Sequence, residues 1–454
     1  MNLRERLPGG RHLRTFTSLS SAGIGEAMLP TLSLIALVRV TGTETSGQVI
    51  FAQSVANIWF LLCDPCLENA AQRFVPLEQR RSGRGSALFL RLLRLDAGIG
   101  LAATTAALAA VLGAWFLGVV SDGLALMIAL SVVWRGATAP NGTAFAGFAL
   151  ADRLNASGLL RVQGALLTFG LSLAGLFVGG PLLYLAGQAA AALLMAAGFC
   201  LLASRAVTRT LGARGGSSPP LPAGILRFTL STSIGTSVAS ISDFGILAVA
   251  GLVGGPPLVT ILKIAMAPGR FYANLAVPVA AMLYPRLAQA AAQGAGETLI
   301  KRDIKRATLL LAAGGAVTAA AALPVIGTII AMAYGPEYAA TGAVAMLLLG
   351  AACVKGVACW SNVLPLAMGR PGWRLAYLST EAALLVGTLL AAGWTTSGAL
   401  ATALPFAWGT LALAVLGTGF WIMSMGRLIT RRPDRVTSVT TVTTVTTRVP
   451  AQRP

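Results

Sequence analysis

Apolar residues in this chain run in long unbroken stretches separated by short polar turns, a pattern of period neither 2 nor 3.6 but of whole hydrophobic segments. About twelve such stretches recur, near residues 16–40, 47–72, 96–118, 122–150, 162–179, 182–203, 226–252, 257–285, 307–333, 340–367, 374–392 and 399–425. Each is close to the length that a helix needs to cross a bilayer. The pattern predicts an all-α polytopic membrane protein of about twelve transmembrane helices.

The stretch Leu258 to Leu287 is the most unusual of these. Pro268 and Gly269 interrupt it near its middle, and Lys263 and Arg270 stand where hydrocarbon is expected. A cation at that depth requires a water-filled cavity or a partner.

Composition agrees with the pattern. Of 454 residues, 56% are hydrophobic and 11% charged, with mean hydropathy +0.76, too little polar surface to cover a soluble globule. The formal net charge of +19 would suggest nucleic acid in a soluble protein, but here position decides. The cations cluster in alternate connections: Arg4 to Arg14, Arg80 to Arg84, Arg153 and Arg161, Arg205 to Arg214, Lys301 to Arg306, Arg370 and Arg374, and Arg427 to Arg435. The intervening turns TGTETSG (41–47), VSDG (120–123), VGGP (178–181), VGGPP (253–257), YGPEY (334–338) and GWTTSG (393–398) hold no Lys or Arg, and Arg39 is the main cation near an outward end. The positive-inside rule then puts both termini in the cytoplasm and assigns the charge to topology, with no nucleic-acid partner.

Five segments follow: a basic arm (1–15) suited to anionic headgroups, a six-helix lobe (16–203), a Ser/Pro/Gly-rich cytoplasmic linker (204–224), a second six-helix lobe (225–425) and a basic, Thr/Val-rich tail (426–454). The polar arm argues for insertion through the first helix rather than through a cleaved leader. LRTFTSLSSAGIGEAMLPTLSLIAL (13–37) is similar to LRFTLSTSIGTSVASISDFGILAV (226–249), so the lobes are expected to be a parallel pseudo-repeat.

Buried charge follows the same repeat. Glu26 and Asp243 lie mid-depth in spans one and seven, and Arg135 and Lys355 mid-depth in spans four and ten, at a nearly constant sequence offset. Either the pairs neutralise one another within a lobe, or the cations face a central cleft and meet an anionic ligand. Arg270 and Glu381, also mid-depth, join whichever network exists. Asp64 and Glu68, one turn apart at the end of span two, read first as a salt-bridged helix end next to Arg73. LFLRLLRLD (88–96) reads as an interfacial helix. The glycine- and alanine-rich spans five and six hold no interior charge and are expected to pack closely.

Residues 36–74, with the polar turn before a glycine and the closing Ala-x-Arg-like element, resemble the opening of polysaccharide exporters and Wzx-type flippases. MLYPRLAQ (282–289), the Gly-x-x-Tyr and Ala-x-Gly-Arg turns of 334–390, and SGALATAL (397–404) are similar to that family's second half. The resemblance implies the MOP (MATE-like) transporter fold, two six-helix lobes around a cleft. It also implies alternating-access export of undecaprenyl-diphosphate-linked oligosaccharide across the bacterial cytoplasmic (inner) membrane. Arg135, Arg270, Lys355 and Lys263 would then meet the diphosphate, and Glu26, Asp243, Glu381 and Asp64 would carry a coupling ion or proton. Implied partners are the lipid-linked oligosaccharide, membrane lipids, and the glycosyltransferases and polysaccharide polymerase of the same pathway.

Two other classes compete. A drug/cation antiporter of the same superfamily predicts a cavity dominated by acids and aromatics, with Glu26 its span-one acid. A membrane glycosyltransferase or polymerase generally needs catalytic groups on a sizeable outward loop, whereas every outward loop here is short. The single histidine, His12, lies in the basic arm, and no phosphate loop, metal-ligand cluster, nucleophile elbow or cofactor motif is present. Cys63-Asp64-Pro65-Cys66 sits inside an apolar run and reads as helix packing rather than redox chemistry.

Overall fold

The computed structural model describes residues 10–212, 220–222, 224–240, 244–292, 297–368 and 370–430, and among them there are helices and turns but no strand. Helix α1 (Gly10–Cys63) is bent at Gly42. The chain continues through α2 (Leu67–Ser82), α3 (Gly85–Phe116), α4 (Asp122–Thr138) and α5 (Asn141–Leu150) into α6 (Leu154–Leu211), which is bent at Gly179 and Gly180. Then come α7 (Ile225–Ser240), α8 (Ile246–Ala292), bent at Gly255, and α9 (Glu297–Ala322). Last are α10 (Ile326–Tyr334), α11 (Thr341–Val357), the short α12 (Leu364–Ala367), α13 (Pro371–Thr395) and α14 (Ala399–Thr430). Among the described residues eight helical stretches are long and apolar enough to cross a membrane, and the chain is a multi-pass membrane protein.

The three bends fall within TGTETSG, VGGP and VGGPP, so those turns survive only as one or two non-helical glycines between two helical legs. Close packing at the legs rests on glycine. A Cβ on Gly175 would lie 2.1 Å from the Leu183 carbonyl oxygen, and one on Gly187 2.3 Å from that of Leu171, so the legs of α6 touch backbone to backbone.

Several local readings are corrected. LFLRLLRLD is not a separate interfacial helix but the first turns of α3. Asp64 and Glu68 do not share a helix. Pro65 disfavours the helical conformation at Asp64, the Asp64 carboxylate accepts the Cys66 N–H at 2.8 Å, and Cys66 turns left-handed before α2 starts. The fourth apolar run is divided at Pro140 into α4 and α5, and the tenth ends in a 3₁₀ turn, Cys359–Asn362, before α12.

One buried cluster, around Phe89, Phe148 and Phe199, joins α2, α3, α5, α6 and the start of α7, and another, around Phe60, Val132 and Leu185, joins α1 to α3, α4 and α6. Two more join α8–α14, around Leu262, Leu349 and Phe406 and around Trp360 and Trp421, with Leu34, Val38 and Ile50 of α1 contributing to the first of these.

The two sets meet at both ends. At the glycine bends, Thr260 Oγ1 donates to the Thr43 carbonyl at 2.8 Å, and a Cβ on Gly47 would fall 2.0 Å from the Pro256 carbonyl oxygen. Nearby, the Arg39 guanidinium donates to the carbonyls of Met332 and Ala333, the exposed end of α10, where a cation also meets the negative end of the helix dipole. At the far end of the second leg of α1, Ser237 of α7 donates to the Leu61 carbonyl at 2.8 Å and Ser233 to that of Asp64. These hydroxyls satisfy carbonyls that the end of α1 leaves without intrahelical donors.

Candidate functional site

Two cavities adjoin among the first set of helices, the larger closed on one side by α8 of the second set. The larger, about 450 Å³, lies among α1, α4–α6 and α8. Its wall carries a polar ladder that apolar packing would not require. Gln53 Nε2 donates to Gln188 Oε1 at 2.8 Å, Asn57 Nδ2 donates to the Gln53 carbonyl at 2.8 Å, and Ser33 and Tyr184 share a hydroxyl contact at 2.9 Å. Lys263 of α8 and Arg161 of α6 line it as well, Arg161 with its guanidinium 5.7 Å from the centre of the Phe145 ring. The described lining holds these two cations and no carboxylate.

The second cavity, about 320 Å³, is lined by Asp64, Glu68, Asp96 and Arg135, reversing the balance to three carboxylates and one cation. Asp96 of α3 is buried and accepts the Thr143 hydroxyl at 2.5 Å. The Glu68 carboxylate rests over Gly142, 3.3 Å from where a Cβ would stand. Arg135 Nη1 donates to Thr138 Oγ1 at 3.0 Å, and the charge of Asp64 is felt at Arg135, while Arg135 Nε and Asn141 Oδ1 are buried with no hydrogen-bond partner. Thr138, Asn141 and Phe145 line both cavities and form the wall between them.

The charged residues named from sequence are thus distributed among several places. Lys263 lines the larger cavity, and Arg135 and Asp64 the smaller. Lys355 forms an ion pair with Glu381, which joins α11 to α13 and lies at the floor of an apolar groove between α13 and α14. Arg270 is half-buried on α8, outside both cavities. Asp243 lies outside the described residues, and Glu26 is placed only as part of α1. Arg161, Gln53, Gln188, Asp96 and Asn141 were not singled out. A search for polar residues of any kind inside apolar runs, rather than for mid-depth charges alone, would have found Gln53 with Asn57 four residues on, and Gln188.

No protein-family profile and no curated protein matches the sequence. Solved structures do match in shape. An inward-facing multidrug-resistance MATE family transporter of the MOP superfamily superposes with a TM-score of 0.63 at 16% identity, over 90% of this chain and 98% of that one. This chain has the MATE-like fold. The outward-facing form of such a transporter matches with a TM-score of 0.59 at 17% identity, over 91% and 96%. The lipid II flippase MurJ, in an inward closed conformation, matches with a TM-score of 0.61 at 13% identity, over 89% and 87%.

Proposed function

We propose that this protein is an alternating-access flippase of the MOP type that carries a polyprenyl-diphosphate-linked oligosaccharide from the cytoplasmic to the outer leaflet of a bacterial cytoplasmic membrane. The observation that carries this reading is the larger cavity, where Lys263 and Arg161 stand beside a ladder of amides and hydroxyls. Cations can replace the hydration of a diphosphate with charge-assisted hydrogen bonds, and amides and hydroxyls suit sugar hydroxyls. The neighbour named as a lipid II flippase supports a lipid-linked substrate.

In this reading twelve spans form two six-helix lobes with both termini cytoplasmic, and the bends at Gly42 and Gly255 are equivalent points of a parallel repeat. Lys263 and Arg161 take the headgroup. Lys355 is neutralised by Glu381 and serves the C-terminal lobe instead. The enzymes that assemble and polymerise the glycan are the expected partners.

A MATE-like cation antiporter is the second reading, favoured by the carboxylates of the smaller cavity and by the multidrug transporters among the similar structures. Depletion of the protein separates the two. The flippase predicts lipid-linked oligosaccharide accumulating on the cytoplasmic leaflet, cleared by wild type but not by Lys263→Ala or Arg161→Ala at equal expression. Unchanged glycan lipids with heightened sensitivity to cationic dyes would replace it with the antiporter.

A further inference from the structure

Helices α13 and α14 run antiparallel through a short connection at residues 396–398 and leave between them a groove of about 520 Å³. It shares no lining residue with either cavity described above. Trp373 and Leu384 on one wall and Leu416 and Phe420 on the other are exposed, so the groove faces lipid hydrocarbon rather than the protein interior. Small residues keep it deep. Ala376 and Thr380 lower one wall, and a Cβ on Gly417 would lie 2.2 Å from the Tyr377 hydroxyl, so the tyrosine, stacked on Phe420 at 6.2 Å, forms the floor. Past the groove toward the connection the seam closes, because a Cβ on Gly409 would fall 2.2 Å from Thr388 Cγ2.

Both walls run into cations at the open end. On α13 the positions Leu384, Glu381, Tyr377, Trp373 and Arg370 are three or four residues apart and follow one helix face, and on α14 Leu413, Leu416 and Phe420 lead two turns on to Arg427. Arg370 is half-buried and Arg427 exposed. Arg374, at the same end, buries its Nε with no hydrogen-bond partner. The one carboxylate among the lining residues, Glu381, lies about three turns deeper than Arg370 and is already paired with Lys355. Positive charge at one end of an apolar trench, with a tryptophan between, is complementary to an amphiphile of anionic head and hydrocarbon tail.

We propose that the α13–α14 groove binds an anionic phospholipid of the bilayer, with its phosphate between Arg370 and Arg427 and one acyl chain laid along Tyr377 to Glu381. Arginine suits the phosphate because its guanidinium donates in a fixed fork. The chain touches both helices and excludes water from Glu381, which strengthens the Lys355–Glu381 pair and with it the junction of α11 and α13. The lipid resides in the leaflet where Arg370 and Arg427 stand, the cytoplasmic one in the topology proposed above. It is not the cargo, because the groove is separate from the larger cavity. The inference does not rest on the transport substrate.

The test is native mass spectrometry of the purified full-length protein, with dioleoyl phosphatidylglycerol and dioleoyl phosphatidylcholine as probes, joined to thermal unfolding in detergent with each lipid added. The expected result is a first phosphatidylglycerol bound about tenfold more tightly than phosphatidylcholine, with a higher unfolding midpoint. Dihexanoyl phosphatidylglycerol, which has the headgroup but chains too short to fill the groove, should not raise the midpoint. The double variant Arg370→Gln/Arg427→Gln should lose the preference between the two dioleoyl lipids. Ala376→Trp, which fills the groove from an exposed position, should weaken both lipids and abolish the shift in midpoint. The comparisons of headgroup and chain length on the wild-type protein keep the inference testable if a variant does not fold. Equal affinity of the wild type for the two dioleoyl lipids, stabilisation by the short-chain lipid, or a preference that persists in both variants would overturn it. So would farnesyl diphosphate that displaces phosphatidylglycerol from wild type and fails to bind Ala376→Trp, since the groove would then hold the prenyl tail of the cargo.

Discussion

Gly42 and Gly255 adopt nearly the same backbone conformation, φ 74 and ψ −177 at the first and φ 70 and ψ −175 at the second. Both values fall in a region open only to glycine. The two bends face each other across the contact between α1 and α8, where Ser46 and Thr260 meet at 3.2 Å.

Alanine at either bend should therefore act through the backbone alone. Nothing stands within 4 Å of a Cβ at Gly42, and at Gly255 only Pro257 Cδ does, at 3.8 Å. Gly42→Ala and Gly255→Ala should each cost about 1–3 kcal/mol of backbone strain. Gly47→Ala differs, because its methyl meets the Pro256 backbone. It should cost about 3 kcal/mol through overpacking and push α1 away from α8. Thermal unfolding in detergent checks the ranking, and a Gly47→Ala protein as stable as wild type would contradict the packing described.

Arg39 joins the first set of helices to the last turn of α10 at an exposed position. Its removal should weaken that contact by about 1 kcal/mol, which under the alternating-access proposal is enough for roughly a fivefold change in the balance of open and closed forms. Spin labels at the exposed positions Glu44 and Ala340 should show a larger long-distance population in Arg39→Ala. An unchanged distance distribution would mean that the bends hold this end closed without Arg39.

The Lys355–Glu381 pair predicts non-additive energetics. Glu381 is 10% exposed and Lys355 38%, so loss of the lysine leaves a nearly buried carboxylate without its partner. Lys355→Met should destabilise by about 3 kcal/mol, at the lower end for a buried pair because the lysine is partly solvated. The double variant Lys355→Met/Glu381→Gln should recover most of that loss. If the two single effects simply add, the pair is not coupled.

Diphosphate binding should follow the larger cavity. Lys263→Ala and Arg161→Ala should each weaken geranyl diphosphate by about tenfold, or about 1.4 kcal/mol, with the difference shrinking as salt rises. Gln188→Leu, which removes the acceptor of Gln53 Nε2, should weaken it less, and Lys355→Ala should leave it unchanged. Calorimetric titration decides among these. Equal loss from Lys355→Ala and Lys263→Ala would place the anion elsewhere.

The sequence by itself determined the class of this protein, because the bilayer demands long apolar helices and leaves that demand written as uninterrupted runs. It marked TGTETSG, VGGP and VGGPP as polar or glycine-rich breaks between apolar runs, and the structure keeps those breaks as bends at Gly42, Gly179, Gly180 and Gly255. It also singled out Lys263 and Arg135 as charges at membrane depth, because a charge in an apolar run is costly wherever the run packs. Only the tertiary structure decided their company. The pairing of Lys355 with Glu381, the sharing of one cavity by Asp96 and Glu68, and the entry of Arg161 into another depend on how separate helices rotate and cross. Each contact joins residues far apart in the chain, and helix rotation is set by the summed packing of many small contacts that no single stretch of sequence displays.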